Sequence, residues 1–159
     1  MEIKMKYKDL GSFEFTQVIQ KLANTPMSAQ KANHIRHVVK EVRKAKEQII
    51  AEYKKDVMEV FGERDEKGAL KLPEGEPVGF VPKEAEISAV DKANEAFGER
   101  EAIIKWRPLT PSTISDVKLT AMELDLLKDL FSEEEGPGVP TNLMPFPMKP
   151  APEQKELNN

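Results

Sequence analysis

The sequence predicts an α+β fold that is mostly helical, with one long helix as its largest element. Apolar residues recur at helical spacing from Ser28 to about Phe61. Residues 3–8 and 101–106 have the composition of short strands, which predicts a small sheet. The chain has 159 residues, of which 33% are charged, and this suits one small core with a solvated exterior. We therefore expect a domain over residues 1–135, followed by an extended Pro-rich arm over residues 136–159.

The N-terminal part predicts a strand followed by a helix. Apolar residues alternate with lysines over residues 3–8, and this period of two indicates a half-buried strand. Ser12 can then cap a helix that runs to about Asn24, because Pro26 disfavours helical backbone at the residue before it. Four residues of this helix are predicted to face the core: Phe13, Val18, Ile19 and Leu22.

The long helix carries one apolar stripe that should face the rest of the fold. Ser28 can cap it, and the stripe is spaced by three or four residues at first and then by four: Ile35, Val38, Val42, Ala45, Ile49, Tyr53 and Val57. We expect four further residues to broaden the stripe: Val39, Ile50, Met58 and Phe61. At about 1.5 Å per residue the helix would be roughly 50 Å long, so we expect part of it to project or to pack on another chain.

Residues 62–82 are rich in Gly and Pro and predict a loop, in which a short hairpin could pair residues 69–72 with 78–81. A weaker helical pattern follows to about Phe97. It begins either at Lys83 or, after an extended start, at Ser88.

The last part of the domain predicts one more extended piece and one more helix. Residues 112–118 have the composition of a short extended segment. Thr120 and Glu123 then form a capping box for a helix that ends in the acidic run Glu133–Gly136. Carboxylates at a helix C-terminus oppose the helix dipole, which favours fraying or a basic partner nearby.

The charge of the chain is unevenly distributed. Residues 31–55 contain eight Lys and Arg against three Glu, whereas residues 62–101 contain eleven Asp and Glu against six Lys and Arg. The two stretches can attract each other, or each can face a different partner. The basic residues could contact phosphates, but no stacking aromatic side chain accompanies them, so we favour a solvated or protein-facing stripe balanced by the acidic stretch. The candidate basic face comprises Lys31, Arg36, Lys40, Arg43, Lys44 and Lys46.

No pattern in the chain predicts catalysis, a cofactor or a membrane span. The chain has no Cys, which excludes disulfides and thiolate chemistry. His34, His37 and Glu41 can share a helix face, but the surrounding positive charge favours a solvated or partner-facing pair of histidines over a metal site. Trp106 fits either a core residue beside the sheet or an interface anchor. We expect a protein that is not an enzyme and that is made in a cytoplasm.

The C-terminal arm contains apolar residues between its prolines, which a solvated Pro-rich linker usually lacks. These residues are Leu143, Met144, Phe146 and Met148. We interpret the arm as a segment that docks these side chains on another surface, the alternative being an unattached tail.

The order of elements resembles a family of small tailed-bacteriophage proteins of unknown function. The resemblance covers roughly residues 3–132 and depends on the basic helix after Lys31, the charged turn from Phe61 to Gly68, the apolar piece Leu70–Pro73 and the late helix around Leu119–Leu127. It implies a phage setting, and it supplies no catalytic or ligand residues.

These observations together predict a structural or accessory protein of a tailed-phage virion, made in the host cytoplasm. Its expected partners are other phage structural proteins, in multiple copies of a large assembly. One alternative is an assembly factor of the tail-assembly chaperone type that leaves before the particle matures. Another is a nucleic-acid-binding accessory protein that uses the basic helix face.

Overall fold

A computed structural model describes residues 2–131 of the chain. The main elements, in chain order, are β1 (Ile3–Lys6), α1 (Tyr7–Gly11), α2 (Phe13–Asn24), α3 (Ala29–Tyr53), α4 (Ile87–Gly98), β2 (Glu101–Ile104) and α5 (Ala121–Leu126). Helix α3 continues as a π-helical turn (Lys54–Met58) and a final α-helical turn (Glu59–Phe61), and these three pieces together are called the long helix below. The predicted α+β, mostly helical fold is confirmed.

The small sheet consists of β1 and β2, which pair antiparallel with Ile3 opposite Ile104 and Lys6 opposite Glu101. Each strand alternates one exposed with one buried residue, as the period of two predicts. The first strand ends at Lys6, not at residue 8, because the chain turns into α1 at Tyr7, whose amide donates to the Arg100 carbonyl at 2.8 Å. The second strand likewise ends before residues 105 and 106.

Helix α2 begins where the sequence predicts, but one of its core residues was wrongly assigned. The Ser12 side chain caps the helix by accepting from the Phe15 amide at 3.2 Å. Phe13 is 70% exposed, whereas Phe15 is 1% exposed and belongs to the core. Helical geometry explains the correction, because Phe15 lies three residues before Val18 and shares its face, while Phe13 lies five residues before it.

The long helix buries the predicted stripe, and the π-helical turn keeps that stripe facing the core. Its buried residues are Ile35, Val38, Val42, Ala45 and Val57. After Ala45 the apolar spacing is four, which exceeds the 3.6 residues of a turn and would rotate the stripe by about 40° at each step. The wider π-helical turn at Lys54–Met58 offsets this rotation, so that Val57 is only 2% exposed.

One residue expected to broaden the stripe lies instead on the outer side of the long helix. Ile50 is 69% exposed, while its neighbour Ile49 packs against the core. Successive residues of an α-helix are about 100° apart, so both cannot face the same core. The prediction for Ile50 was therefore wrong.

Residues 62–82 return to the end of the long helix through backbone hydrogen bonds. The Glu63 amide donates to Val81 at 2.7 Å, and the Lys83 amide donates to Phe61 at 2.9 Å. Lys71 donates to Glu63 at 2.9 Å and accepts from Val81 at 3.0 Å. The predicted hairpin thus has one backbone hydrogen bond between its two sides, from Val81 to Lys71. Each side is also hydrogen-bonded to Glu63, just after the end of the long helix.

The chain between Phe80 and β2 forms a helix with a start between the two predicted ones. A single 3-10 turn at Glu84–Glu86 leads into α4 at Ile87. In α4 only Val90 and Phe97 are buried, and Ile87 is 53% exposed.

Residues 112–118 form turns, so the prediction of an extended segment was wrong. The Thr113 amide donates to the Thr110 carbonyl at 3.0 Å, and the Thr110 and Thr113 hydroxyls are 2.8 Å apart. Ser115 donates to the Ser112 carbonyl at 3.0 Å. Local hydroxyl bonds of this kind stabilise turns at the expense of extended backbone.

The capping box is present at the start of α5, where the Glu123 amide donates to Thr120 at 3.2 Å and the Thr120 amide donates to Glu123 at 2.7 Å. The helix itself ends at Leu126 and is followed by a 3-10 turn at Lys128–Leu130. The predicted acidic helix end lies outside the described residues.

The core lies between the sheet, α2 and the long helix. Its most deeply buried side chains are Phe15, Met5, Leu10, Leu22, Ile104, Leu109, Leu127, Leu130, Val38 and Val57. Within residues 2–131, no helix combines the length and the apolar composition needed to cross a bilayer.

Candidate protein-binding groove

A large open groove lies between the second half of the long helix and residues 62–82. Its volume is about 760 Å³. The lining side chains are predominantly apolar: Ile49, Ile50, Tyr53, Met58, Ala69, Leu70, Leu72, Val78 and Phe97, with Gly79 between them and Lys54, Glu59 and Arg64 among the charged groups. We call this feature the apolar groove.

Several large apolar side chains of the groove are in contact with solvent. Val78 is 71% exposed, Ile50 is 69% exposed and Leu72 is 53% exposed. They come from both walls, since Ile50 belongs to the long helix and the other two to the returning segment. A contiguous apolar surface bordered by charged side chains is typical of a site that binds another apolar group.

An aromatic cluster holds the two walls of the groove together. The Tyr53 ring lies 5.2 Å from the Phe97 ring and 6.4 Å from the Phe80 ring, in both cases edge to face. Phe97 in turn lies 5.1 Å from Tyr7, which begins α1. The Tyr53 hydroxyl donates to Asn94 at 2.8 Å, and burial raises the pKa of that hydroxyl. These contacts place the groove floor on the core rather than on a mobile loop.

A polar network lies behind this cluster and fixes the turn that carries Phe97. The Tyr7 hydroxyl donates to Glu52 at 2.7 Å, and the Arg100 guanidinium bonds Asp56 at 2.6 Å while it covers the Phe97 ring at 4.8 Å. Burial and the bond to Glu52 raise the pKa of Tyr7 to about 12. The same hydrogen bond is the first cause of a lowered pKa at Glu52. Through Tyr7 and Arg100 the network connects Phe97 to carboxylates of the long helix.

Gly62 allows the returning segment to lie close to the long helix. A Cβ atom at this position would lie 2.4 Å from the Met58 carbonyl oxygen and 2.6 Å from Leu70. Both distances are far below van der Waals contact, so a residue with a side chain would push the segment away. Gly62, which belongs to the charged turn from Phe61 to Gly68, therefore has a packing role.

The basic face is only partly free for a ligand. Arg36, Lys40 and Arg43 are exposed, and no ion pair within the described residues involves them. Lys31 bonds Asp116 at 2.9 Å, and Lys44 bonds Glu41 at 2.7 Å. The sixth residue of the face, Lys46, bonds the Thr16 hydroxyl and lies over the Phe15 ring, and burial lowers its pKa.

The acidic stretch does not neutralise this basic face, contrary to the expectation. In the described part of the chain, Glu99 pairs with Lys6 and Lys8, and Glu63 pairs with Lys71. The two lysines of the N-terminal segment lower the pKa of Glu99 to about 2. The pairing of β1 with β2 brings Glu99 and Glu101 to the lysines of the N-terminal segment, although they are about 95 residues apart in the sequence.

One residue of the histidine pair, His37, contacts Trp106. The His37 ring stacks on Trp106 with a centroid distance of 4.6 Å, and Glu41 bonds Lys44. Within residues 2–131, no group of three or more metal-ligating side chains is placed to hold an ion. Trp106 is half-buried against the core, next to the exposed Lys105 and Arg107.

The predicted partner-binding residues of the arm lie outside the described residues: Leu143, Met144, Phe146 and Met148. A second groove of about 580 Å³ lies between α1, α2 and α5. Its lining is rich in carboxylates: Asp9, Glu14, Asp125 and Asp129. Met122, which is 81% exposed, also lines it.

Sequence reasoning missed the apolar groove because its residues are far apart in the chain. One signal was present, since Ile50 directly follows the stripe residue Ile49 and cannot share its orientation. Leu72 and Val78 in a Gly- and Pro-rich loop were the other signal, because such loops rarely expose large apolar side chains without a reason. No known protein family, curated protein or solved structure matches this chain.

Proposed function

We propose that this protein works by binding other proteins, as a structural or accessory component of a tailed-phage virion. The observation that carries the proposal is the apolar groove, whose exposed side chains come from two separate elements. The phage setting comes from the resemblance of residues 3–132 to small tailed-phage proteins. The proposed role is not catalytic, and its partners are other phage structural proteins.

The shape and chemistry of the groove support a peptide-like ligand. Its walls are the long helix and the returning segment, residues 62–82. Its apolar lining includes the Tyr53 ring and the Met58 side chain, and the flexible Met58 side chain adapts to different partners. Lys54, Glu59 and Arg64 are placed to interact with the backbone or with polar groups of such a segment. A cavity of about 760 Å³ has room for three or four side chains of medium size.

The virion proposal is tested by mass spectrometry of purified particles of the phage that encodes this chain. The protein is expected in the particles after density-gradient purification, at a constant ratio to a known structural protein. Its absence from purified particles would refute the virion role.

A pair of variants tests whether the groove is the binding surface. Val78→Asp is expected to lower incorporation several-fold, because a carboxylate in the apolar lining disfavours an apolar ligand. Ile87→Asp is the matched control, since Ile87 is 53% exposed but lies outside the groove. Equal incorporation of the two variants would contradict a role of the groove in binding.

In the tail-assembly chaperone alternative, the protein binds through the same groove but leaves before the particle matures. A chaperone is expected to bind a phage structural protein in infected cells and to be absent from mature particles. Co-purification from lysates before and after particle maturation therefore separates the two roles.

The nucleic-acid alternative is favoured by one observation: Arg36, Lys40 and Arg43 lie on one exposed side of α3 and form no ion pair within residues 2–131. Trp106, stacked on His37, adds an aromatic side chain that the sequence of the helix lacks. Three phosphate contacts would give a slope of about −3 in a plot of log affinity against log salt concentration.

Charge reversal tests this alternative. Changing Arg36, Lys40 and Arg43 together to Glu should abolish salt-dependent binding of DNA or RNA. Changing Lys55, Lys67 and Lys92 to Glu alters the net charge equally and should leave that binding in place. If neither the natural protein nor the control variant binds nucleic acid in a salt-dependent way, this alternative is refuted.

A further inference from the structure

We propose that, in the free protein, the chain's own segment from Leu143 to Met148 occupies the apolar groove. This inference rests on the proposed role of the groove as a protein-binding surface. It adds a regulatory step, because the arm would cover the groove until an assembly partner displaces the arm.

The first argument is the composition of the segment. Residues 136–148 contain no charged side chain, in a protein where 33% of residues are charged. In extended backbone, residues two apart lie on the same side, so Met144, Phe146 and Met148 would face one way. Pro145 and Pro147 lie between them and disfavour a helix. The segment therefore offers one apolar edge of three adaptable side chains.

The second argument is the match between this edge and the groove. The groove is lined by aliphatic side chains such as Ile50, Leu72 and Val78, with Tyr53 and Phe97 on its floor. Methionine sulfur makes favourable contacts with aromatic rings, and its flexible side chain fills irregular apolar space. An aliphatic lining with aromatic rings is suited to a segment that alternates methionine and phenylalanine.

The third argument is the length of the connecting chain. The described chain ends at Phe131, and eleven residues, 132–142, separate it from Leu143. The twelve residue steps from Phe131 to Leu143 can extend over about 40 Å. The turn at Lys128–Leu130 contacts β1, and β1 leads directly into Tyr7, which contacts the groove residue Phe97. A four-residue strand spans only about 13 Å, so the segment can reach the groove of its own chain.

The same length favours the chain's own groove over that of a second copy. A connection of only eleven residues gives the segment an effective concentration in the millimolar range at its own groove. A dilute solution of the protein offers far fewer grooves on other copies. In a crowded assembly this preference can reverse, which would allow the arm to bind a neighbour there.

Disulfide trapping in the full-length protein tests the proposal, because the natural chain has no Cys. One variant carries Leu72→Cys in the groove together with Met148→Cys in the segment, which is on the side that would face the groove and leaves Met144 and Phe146 in place. The control combines Met148→Cys with Met122→Cys, which is highly exposed and lies in the second groove. Circular dichroism of both variants checks that they fold.

At low protein concentration, the Leu72 variant is expected to form an intramolecular disulfide several-fold faster than the Met122 variant. Adding Phe146→Asp to the Leu72 variant should remove most of this advantage. Equal rates at the two positions, or a rate unaffected by Phe146→Asp, would overturn the proposal. A product made mainly of disulfide-linked dimers would also overturn it, in favour of a second copy as the occupant. Mass spectrometry of purified particles tests the virion role separately, so a failure of this proposal is distinguishable from a failure of the proposed function.

Discussion

The substitution Gly62→Ala should open the apolar groove without unfolding the domain. The added Cβ would lie 2.4 Å from the Met58 carbonyl oxygen, about 1 Å inside normal contact, and a backbone atom cannot move aside as a side chain can. Leu70, on the returning segment, would be 2.6 Å away. The segment is the more movable partner, so we expect it to separate from the long helix.

The magnitude follows from the cost of overpacking. A buried clash of this kind costs about 2–3 kcal/mol, which raises the population of the open segment about 30- to 150-fold. The Lys83 amide ties the end of the segment to the long helix by donating to the Phe61 carbonyl, and it should exchange with solvent faster by the same factor.

Amide hydrogen exchange followed by NMR measures this effect at each residue. Amides of α2 and of the β1–β2 pair should keep their protection, because their contacts do not involve Gly62. The matched control is Gly11→Ala, since a Cβ at Gly11 meets nothing within 4 Å. Unchanged exchange at Lys83 in the Gly62 variant would refute the reasoning, and so would an equal loss of protection throughout the domain.

Three further predictions concern stability. Leu127→Ala removes a side chain with 0% exposure and should lower the free energy of unfolding by about 3 kcal/mol in urea denaturation. Met122→Ala, at an 81% exposed position, should change that free energy by less than about 0.5 kcal/mol. Similar losses for both variants would contradict the assigned core. Thr120→Ala removes the acceptor of the capping box and should cost about 1 kcal/mol, and Thr120→Ser should restore most of it if the hydroxyl is responsible. Tyr7→Phe should change the pH dependence of stability relative to the natural chain. The pKa of Tyr7 is raised from 10.0 to about 12 in the fold, so its contribution is complete below pH 10 and is lost as pH rises towards 12. The pKa of Glu52 is lowered from 4.5, so its contribution is present above that pH and is lost as pH falls below it. The difference in unfolding free energy between the two proteins should therefore be largest between pH 5 and 9 and shrink at both ends, and a difference independent of pH would contradict the assigned hydrogen bond.

The sequence determines most of the elements but little of the groove. Periodicity placed the long helix and α2 well, because their buried faces repeat along one continuous stretch. It failed at Phe13 and Ile50, where an apolar residue lies next to the stripe and only its angle on the helix excludes it from the core. It also failed at residues 112–118, where local hydroxyl bonds decide the backbone.

The groove could not be predicted because three distant stretches meet in it. Ile50, Val78 and Phe97 come together only through the π-helical turn, the fit at Gly62 and the aromatic contacts of Tyr53. Each of these depends on tertiary packing, which single-sequence patterns do not encode. The basic face shows the same limit, since Lys31 and Lys44 have partners that could not be assigned from charge counts.

The pairing of Ile3 with Ile104 has a consequence for the way the chain folds during synthesis. Strand β1 is synthesised before the other elements of residues 2–131, yet the strand with which it pairs lies about 100 residues further along the chain. Closing a loop of that length costs about 4 kcal/mol of chain entropy, so the sheet should form late, after the locally stabilised helices. At about 5–20 residues per second, β1 waits at least several seconds with Ile3 and Met5 exposed. The lysines that alternate with them keep this waiting strand soluble, because charged side chains discourage pairing with other nascent chains.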